Sequence, residues 1–578
     1  MRKKTKAIAL LLVLIFIVSL SACGSSTASN IPTAPSSSST TGATSGEHSR
    51  QSELERITVL EYKSVPWMSG TNDIYRTTNN GTVTKKTPKD TIIYGNTEFL
   101  RPADPVISNE VTTSYNVYDS ILEFDIDTGE IKGLLAKDFY YDDDGNFHIS
   151  LREGVKFHDG STLTTKDVVY TLERCSDRTI APRIAGVFSN IDFEKTYIVD
   201  DYNMVVVFKS PIGAFTSYLA TGTTGIMSKT FMESVGPDYS FLEGDAGCGA
   251  YTLVETITGN SQTFKRFDDY WQGKPEVETI VCRLYTDQTA MFIDYENGAI
   301  DAAFGLNYDA VTRILDASIP DSELMLSMTP RTTSLFMQSI KGPMTDARVR
   351  EAIALSVDPY GVLIAAYQDE TMGKVSTSIL PEGVKYKVNL GPNEYNPEKS
   401  KSILAELGYN SSNPLHIKIM STTTPDQLVA IEAAQNYMIA VGIDAELIVL
   451  DGSVSSTVQN EMTGDPTYDL ISNASPISSG DPDEFLSTFA AYGKEIGTFS
   501  DYKGIQDQTI SELIRKGTTS INHDERVEIY KQLQELIQDG HYILPMICRR
   551  RANVIRTYLG TTMYYNASVP LFRFWTIE

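Results

Sequence analysis

Hydrophobic and polar residues alternate over short stretches of the first half of the chain, which is the pattern of half-buried strands. Phe147, Ile149 and Leu151 are separated by polar neighbours, as expected when one face of a strand is buried. The segment 134–148 carries a turn sequence, Asp-Asp-Asp-Gly, at 142–145. This combination predicts a hairpin whose second strand continues to Leu151.

A helix is predicted directly after that hairpin. The sequence His-Asp-Gly at 158–160 is typical of a turn. Thr164 or Thr165 can cap a helix, and the residues that follow have the spacing of an apolar helix face. The predicted order is therefore strand, turn, helix.

In the second half of the chain, helical and strand patterns alternate. Apolar residues recur at helical spacing in 346–357, 397–407 and 427–441. Between and after these segments, 416–420 and 445–450 are short apolar runs typical of strands. Alternating strands and helices predict a sheet with helices packed on it, and so an α/β fold class.

The N-terminus has the layout of a secretory signal peptide. Four basic residues precede an apolar run at 7–18, and small residues then lead to Cys23. The run is shorter than the ~20 residues that a membrane-spanning helix needs. We therefore expect residues 1–22 to be a lipoprotein signal peptide, with lipid attached to Cys23. An ordinary signal peptide with a chance cysteine is the alternative.

Residues 23–52 are rich in serine and threonine and carry few apolar side chains. Such a segment cannot bury a core, so we expect a disordered tether. The rest of the chain is long enough for two or more packed domains. The formal net charge of the whole chain, −25, argues against a nucleic-acid-binding surface and is typical of a soluble acidic surface.

The remaining cysteines and the histidines show no metal-binding pattern. The spacing of Cys175, Cys248, Cys282 and Cys548 matches no zinc motif. An exported protein can form disulfides, and among these residues Cys248 and Cys282 are the most plausible pair. The six histidines are not close together in the sequence, and each is interpreted as a surface or turn residue. No metal site and no cofactor are expected.

Several motifs occur in the order found in one protein family. Together they resemble the family 5 extracellular solute-binding proteins, the peptide- and nickel-type receptors of ABC importers. The motifs are the strand–turn–helix block 151–174, Y-W-Q-G-K-P at 270–275, G-A-I-D at 298–301, P-M-T-D-A-R-V-R-E-A-I at 343–353, Y-N-P-E-K at 395–399, Y-D-L at 468–470 and G-D-P at 480–482.

The resemblance implies a two-lobe fold like that of periplasmic binding proteins, with an extra subdomain in the first lobe. Lobe one is expected to contain residues 91–331, with the subdomain at about 116–215. Lobe two is expected at 332–545, and residues 546–578 are expected to return to lobe one. A ligand would bind between the lobes, which close around it by a hinge motion.

The resemblance also suggests where a ligand would be contacted. In peptide-binding relatives, an acidic residue that pairs with the ligand's amine lies shortly before the D-P element and follows a tryptophan. Here these positions carry Ser478 and Ser475 respectively, and Asp481 begins the D-P element. On the lobe-one side, Glu110 and Ser114 lie in the loop expected to meet the ligand. Ser475, Ser478 and Asp481 are the lobe-two candidates.

The predicted function is a lipid-anchored receptor on the outer face of a bacterial cytoplasmic membrane. It would deliver a small solute, with peptides as the default class, to an ABC permease and its ATPase. Oligosaccharides and metal chelates stay open as ligands. The alternatives are an exported hydrolase and a receptor for a signalling partner. The glycine loop at 247–251 lacks the spacing and lysine of a phosphate-binding loop, so it is interpreted as a structural turn.

Overall fold

Residues 50–578 form a compact unit in the computed structural model of the protein. The backbone is described for 54–57, 72–77 and 563–564. Backbone and side chains are described in the ranges 85–97, 104–107, 112–125, 129–181, 184–236, 239, 245–316, 318–451, 454, 467–474, 476–487, 505, 507–560 and 569–577, and the backbone alone at Val111. The predicted signal peptide 1–22, Cys23 and the predicted tether 23–52 lie outside the described residues.

The strands are numbered in chain order. They are β1 (Leu54–Ile57), β2 (Asn72–Thr77), β3 (Thr91–Asn96), β4 (Leu122–Phe124), β5 (Ile131–Gly133), β6 (Ala136–Tyr141), β7 (Phe147–Leu151), β8 (Tyr197–Ile198), β9 (Asn203–Val206), β10 (Tyr251–Ile257), β11 (Ser261–Arg266), β12 (Thr279–Leu284), β13 (Ala302–Phe304), β14 (Ser322–Met337), β15 (Gly373–Val375), β16 (His416–Thr422), β17 (Asp444–Leu450), β18 (Leu470–Asn473), β19 (Ile543–Arg556), β20 (Leu559–Gly560), β21 (Met563–Tyr564), β22 (Val569–Pro570) and β23 (Thr576–Ile577).

The helices are numbered in the same way. They are α1 (Val111–Val117), α2 (Thr165–Ser176), α3 (Ala185–Phe188), α4 (Phe215–Leu219), α5 (Lys229–Val235), α6 (Gln288–Glu296), α7 (Tyr308–Leu315), α8 (Ala347–Ser356), α9 (Pro359–Tyr367), α10 (Pro397–Glu406), α11 (Pro425–Ala440), α12 (Asp483–Leu486), α13 (Gln508–Thr519) and α14 (His523–Asp539).

One large mixed sheet organises the described residues. Its main path is β10-β11-β12-β3-β13-β19-β14-β18-β16-β17, and β1, β2 and β15 are attached at its side. The long antiparallel strands β14 and β19 lie at its centre. We name the part built on β10 to β13 lobe one and the part built on β18, β16 and β17 lobe two. The predicted boundaries at 331/332 and 545/546 fall inside β14 and β19 and stay predictions.

Most of the elements predicted from the sequence pattern are present. The hairpin of β6 and β7 turns at Gly145, which has a φ of 78°. β7 buries Phe147, Ile149 and Leu151. The helix after it is α2, whose first turn is capped because Asp167 Oδ2 accepts from the Thr164 N–H at 2.8 Å.

Residues 53–90, which the sequence pattern left unassigned, add strands to the large sheet. β1 pairs with β2, and β2 pairs with β14. The chain after them is tied down by the buried carboxylate of Asp301, in the G-A-I-D motif. That carboxylate accepts hydrogen bonds from Lys85 Nζ at 3.1 Å, Thr87 Oγ1 at 2.7 Å, the Ile93 N–H at 2.8 Å and Tyr558 Oη at 2.6 Å.

The core consists of apolar clusters on the faces of these sheets. One cluster joins the small sheet β6-β7-β9-β8 to the helices and strands of lobe one and includes Trp575 from the C-terminus. A second cluster lies along the centre of the large sheet and contacts elements of both lobes, and a third lies under α13 and α14. The predicted apolar face of α8 is buried at Val349, Ala352 and Ile353.

The His-Asp-Gly turn and the glycine loop, which the sequence pattern treated separately, meet in the fold. His158 lies in the predicted turn, but its side chain is only 5% exposed. Its Nδ1 hydrogen-bonds to Asp245, and its Nε2 lies 2.9 Å from the carbonyl oxygen of Gly249. A Cβ on Gly247 would lie 2.0 Å from the Val117 carbonyl oxygen. The loop is thus a close-packed structural turn, as interpreted.

The sequence left disulfide pairing open, with Cys248 and Cys282 as the most plausible pair, and this pair is not formed. Within the part of the chain that the structure describes, no disulfide joins Cys175, Cys248, Cys282 or Cys548, and all four are buried. Their burial in apolar surroundings accounts for their presence without cross-linking.

Among the described residues, no helix is long and apolar enough to cross a membrane.

The His158–Asp245 pair predicts a pH-dependent stability. Burial lowers the pKa of His158, but Asp245 and the Gly249 carbonyl outweigh burial and leave the pKa raised above 6.5. The stabilisation by the imidazolium should therefore be complete below about pH 6.5 and be lost as pH rises through the higher folded-state pKa. We expect the difference in unfolding free energy between wild type and His158→Gln to shrink as the pH is raised from about 6 through the folded-state pKa of His158.

Urea denaturation across this pH range measures the effect. The exposed His416→Gln is the matched control and should change stability little at any pH. A His158→Gln difference that stays constant or grows with pH would contradict a charged buried imidazole.

Candidate functional site

The strands of lobe one direct their carboxyl ends towards the middle of β14. β12, β3 and β13 are parallel neighbours. β13 runs antiparallel to β19, and its last residue, Phe304, lies opposite Asn553. Asn553 in turn lies opposite Met325 of β14. Through these pairings β13 runs in the same direction as β14. Its carboxyl end therefore points towards the centre of β14.

The strands of lobe two point in the opposite direction. β17, β16 and β18 are parallel, and Asn473 at the end of β18 lies opposite Ser334. The carboxyl ends of the two lobes therefore face each other across the stretch of β14 from Met325 to Ser334, about 30 Å of strand. Ligands of open α/β sheets bind outside the carboxyl ends of the strands. We name the stretch from Met325 to Ser334 the crossing segment. The space between the lobes above this segment is the candidate site.

The crossing segment is cationic. The register of β14 and β19 breaks at its centre, where Arg331 is exposed and β19 carries three successive arginines. Arg549 pairs with Asp426 at 3.2 Å, and Arg551 donates to Asn96 at the carboxyl end of β3 at 3.4 Å. A chain with an overall acidic composition thus concentrates guanidinium groups where the two lobes meet.

Two of the predicted lobe-two residues lie beside this segment. Ser478 is partly buried in the segment after β18. The neighbouring Ile477 donates its N–H to the Pro330 carbonyl at 3.0 Å, which holds this segment against the centre of β14. Asp481 follows and is buried. Ser475 belongs to the same sequence segment but lies outside the described residues.

Of the two predicted lobe-one residues, only Ser114 is among the described residues. Ser114 is buried in α1 of lobe one, where its Cβ lies close to Gly222. Glu110 lies outside the described residues. Whether Glu110, Ser114, Ser475, Ser478 or Asp481 contacts a ligand stays a prediction.

Asp481 belongs to a buried charge cluster. Its Oδ1 lies 2.6 Å from Arg526 Nη2, and the two side chains are 3% and 2% exposed. Asp483 lies 3.5 Å from Arg526 Nη1 and accepts a hydrogen bond from Tyr530. Burial raises the pKa of Asp483 to about 6, against the opposing effect of Arg526. The cluster fixes the segment after β18 onto α14.

A second contact joins the lobes beside this cluster. The Gly213 N–H of lobe one donates to the Thr518 carbonyl of lobe two at 2.7 Å. A Cβ on Gly213 would lie 1.8 Å from Arg526 Nη1 and 2.3 Å from the Ser520 carbonyl oxygen. The lobes approach so closely here that a glycine is required. We name this the closure contact.

Lys385 adds a side-chain bond to the closure contact. Its ammonium group donates to Ser217 Oγ of α4 at 3.2 Å, and its backbone N–H donates to the Gly480 carbonyl at 2.9 Å. Sequence reasoning missed Lys385, Arg526 and Gly213, because none of them lies in a motif and they meet only through the fold.

Replacing one partner of the buried pair should strongly destabilise the protein. Asp481→Asn leaves the Arg526 charge buried without its nearest carboxylate, so we expect the free energy of unfolding to fall by about 3–5 kcal/mol. Asp201→Asn, in the exposed pair with Lys166, is the control and should change stability little. Urea unfolding of both variants measures this, and equal losses would contradict a structural role for the pair.

Comparison with known proteins gives the family. The family model described as bacterial extracellular solute-binding proteins, family 5 middle, matches residues 130–495, more than half of the chain. The glutathione-binding protein GsiB of Salmonella paratyphi A is 25% identical over 452 residues, which cover 78% of this chain and 86% of the relative. GsiB of Escherichia coli K12 is 24% identical over 451 residues, with the same coverage.

Solved structures share the fold. The ABC transporter substrate binding protein CtaP of Listeria monocytogenes has a TM-score of 0.72 at 21% identity, covering 84% of this chain and 99% of its own. NikA of Brucella suis in complex with Fe(III)-EDTA has a TM-score of 0.73 at 22% identity, covering 84% and 100%. The predicted two-lobe α/β fold is thereby confirmed, and the chain belongs to the family 5 bacterial extracellular solute-binding proteins.

Proposed function

We propose that this protein captures a small solute in the cleft above the crossing segment and delivers it to an ABC importer. The observation that carries the proposal is the convergence of both lobes' strand ends on one cleft, bordered by the closure contact. GsiB is a glutathione-binding protein and CtaP is an ABC transporter substrate binding protein, which favours capture over hydrolysis. Peptides are the first class to test, because one solved relative holds the dipeptide Met-Leu.

The proposal includes attachment to the outer face of the cytoplasmic membrane through lipid on Cys23. The layout of the N-terminal sequence supports this attachment, since small residues lead directly from an apolar run to that cysteine. A flexible tether would let the lobes reorient towards a permease while staying near the membrane.

A thermal-shift screen of the full-length protein against peptides, oligosaccharides and metal chelates tests capture. A ligand at about 100 times its dissociation constant should stabilise the folded protein by about 2.7 kcal/mol. Recovery of the unchanged ligand after incubation distinguishes binding from hydrolysis. Conversion of the ligand to products, or no shift with any class, would contradict the proposal, and co-purification of a permease would separate import from signalling.

Closure of the lobes can be tested without changing the cleft. The added methyl group of Gly213→Ala would lie 1.8 Å from Arg526 Nη1 and 2.3 Å from the Ser520 carbonyl oxygen, so it should oppose this approach of the lobes. We expect this variant to bind any ligand found in the screen about tenfold more weakly, because the closed state is the binding-competent one. Titration calorimetry measures the affinity.

Gly236→Ala is the control for Gly213→Ala, since its added methyl group has no neighbour within 4 Å. It should alter only stability, through its positive φ of 80°. Equal affinities of wild type and Gly213→Ala would contradict the role of the closure contact.

A further inference from the structure

The charge of the solute can be inferred from Lys385. Lys385 belongs to lobe two. Its backbone N–H donates to the Gly480 carbonyl, at the end of the segment after β18. Its ammonium group crosses to lobe one, where it meets Ser217 and lies 5.7 Å from the centre of the Phe124 ring. The residue as a whole is partly exposed, while its ammonium group is largely removed from solvent between the lobes.

The ammonium group has more donors than partners. Lysine carries three N–H donors, and among the described residues only the neutral hydroxyl of Ser217 accepts one of them. No carboxylate of the described chain lies within ion-pair distance of Lys385. Asp481, the carboxylate that acts on the ammonium group electrostatically, is bound to Arg526.

Burying an ammonium group against a hydroxyl is unfavourable unless an anion joins it. Burial lowers the pKa of Lys385, although Asp481 opposes this effect. The closure contact therefore places the Lys385 ammonium group in a poorly solvated position, where only one of its N–H donors has an acceptor among the described residues. An oxyanion supplied by the solute would complete its coordination at the moment of closure.

The surrounding wall and floor have the matching character. The segment from Asn473 to Gly480 contains no acidic residue, so this wall offers no carboxylate to a cationic solute group. The floor carries Arg331, Arg549 and Arg551. A cleft with guanidinium groups below and an ammonium group at its side favours negative charge in the solute.

We infer that the solute carries a carboxylate and that Lys385 binds it when the lobes close. This inference rests on the proposed function and narrows its ligand class. A peptide with a free C-terminus and a non-peptide organic acid or chelate share this chemistry. Lys385 would be a specificity residue, worth about tenfold or more in affinity for the anionic form of a ligand.

Matched solutes with and without the carboxylate test the inference. The probes are free-acid tripeptides, the same tripeptides as C-terminal amides, citrate and the neutral sugar maltotriose. They are titrated calorimetrically into the full-length wild type, Lys385→Met and Lys387→Met. Lys387 is the matched control, because its ammonium group is already paired with Glu382 at 3.1 Å.

We expect wild type and Lys387→Met to prefer carboxylate solutes over their amides about tenfold or more, and Lys385→Met to lose that preference. Binding of tripeptide acids identifies a peptide source, and binding of citrate alone identifies an organic acid. Lys385→Gln and thermal unfolding of both Lys385 variants check that the fold is intact.

The outcomes separate the two proposals. If Lys385→Met keeps the preference for carboxylates, or if wild type binds acids and amides equally or binds only maltotriose, the inference is overturned while solute capture stands. If wild type binds none of these probes and no solute in the thermal-shift screen, the proposed function fails, and the inference fails with it.

Discussion

The antiparallel pairing of β14 with β19 is the constraint on which the rest of the structure depends. It runs from Ser322 opposite Arg556 to Phe336 opposite Ile543, and each lobe attaches its own parallel strands to one end of it. Because the two lobes share only these central strands within the sheet, their strand ends are forced to face each other. The irregular register at the centre provides the place where such a ladder can bend.

The motifs that identify the family act mainly as structural ties. Asp301 binds the chain before β3 to the C-terminal return at Tyr558. Asp119 accepts from Tyr270 at 3.1 Å and from Trp271 at 2.7 Å, which fixes the Y-W-Q-G-K-P motif onto the chain after α1. Buried polar groups need such partners. These residues therefore stabilise the fold, and ligand specificity depends on other residues.

The candidate site depends on residues of a different kind. Lys385, Gly213 and Arg526 come from separate parts of the chain and meet where the lobes touch. Arg526 fixes the segment after β18 by its buried ion pair. Gly213 allows the two lobes to approach closely, and Lys385 places an ammonium group between them. Their roles follow from proximity and desolvation, which local sequence patterns do not encode.

The sequence by itself determined the family, the α/β class and most strands and helices, including β7, α2 and α8. These follow from periodicity and capping, which act over a few residues. It left open whether the cysteines pair, and in the structure no disulfide joins the four described cysteines. Only the tertiary structure decided that β1 and β2 join the large sheet and that Asp481 pairs with Arg526. Such contacts join residues distant in the chain, and their strength comes from the burial that the fold creates.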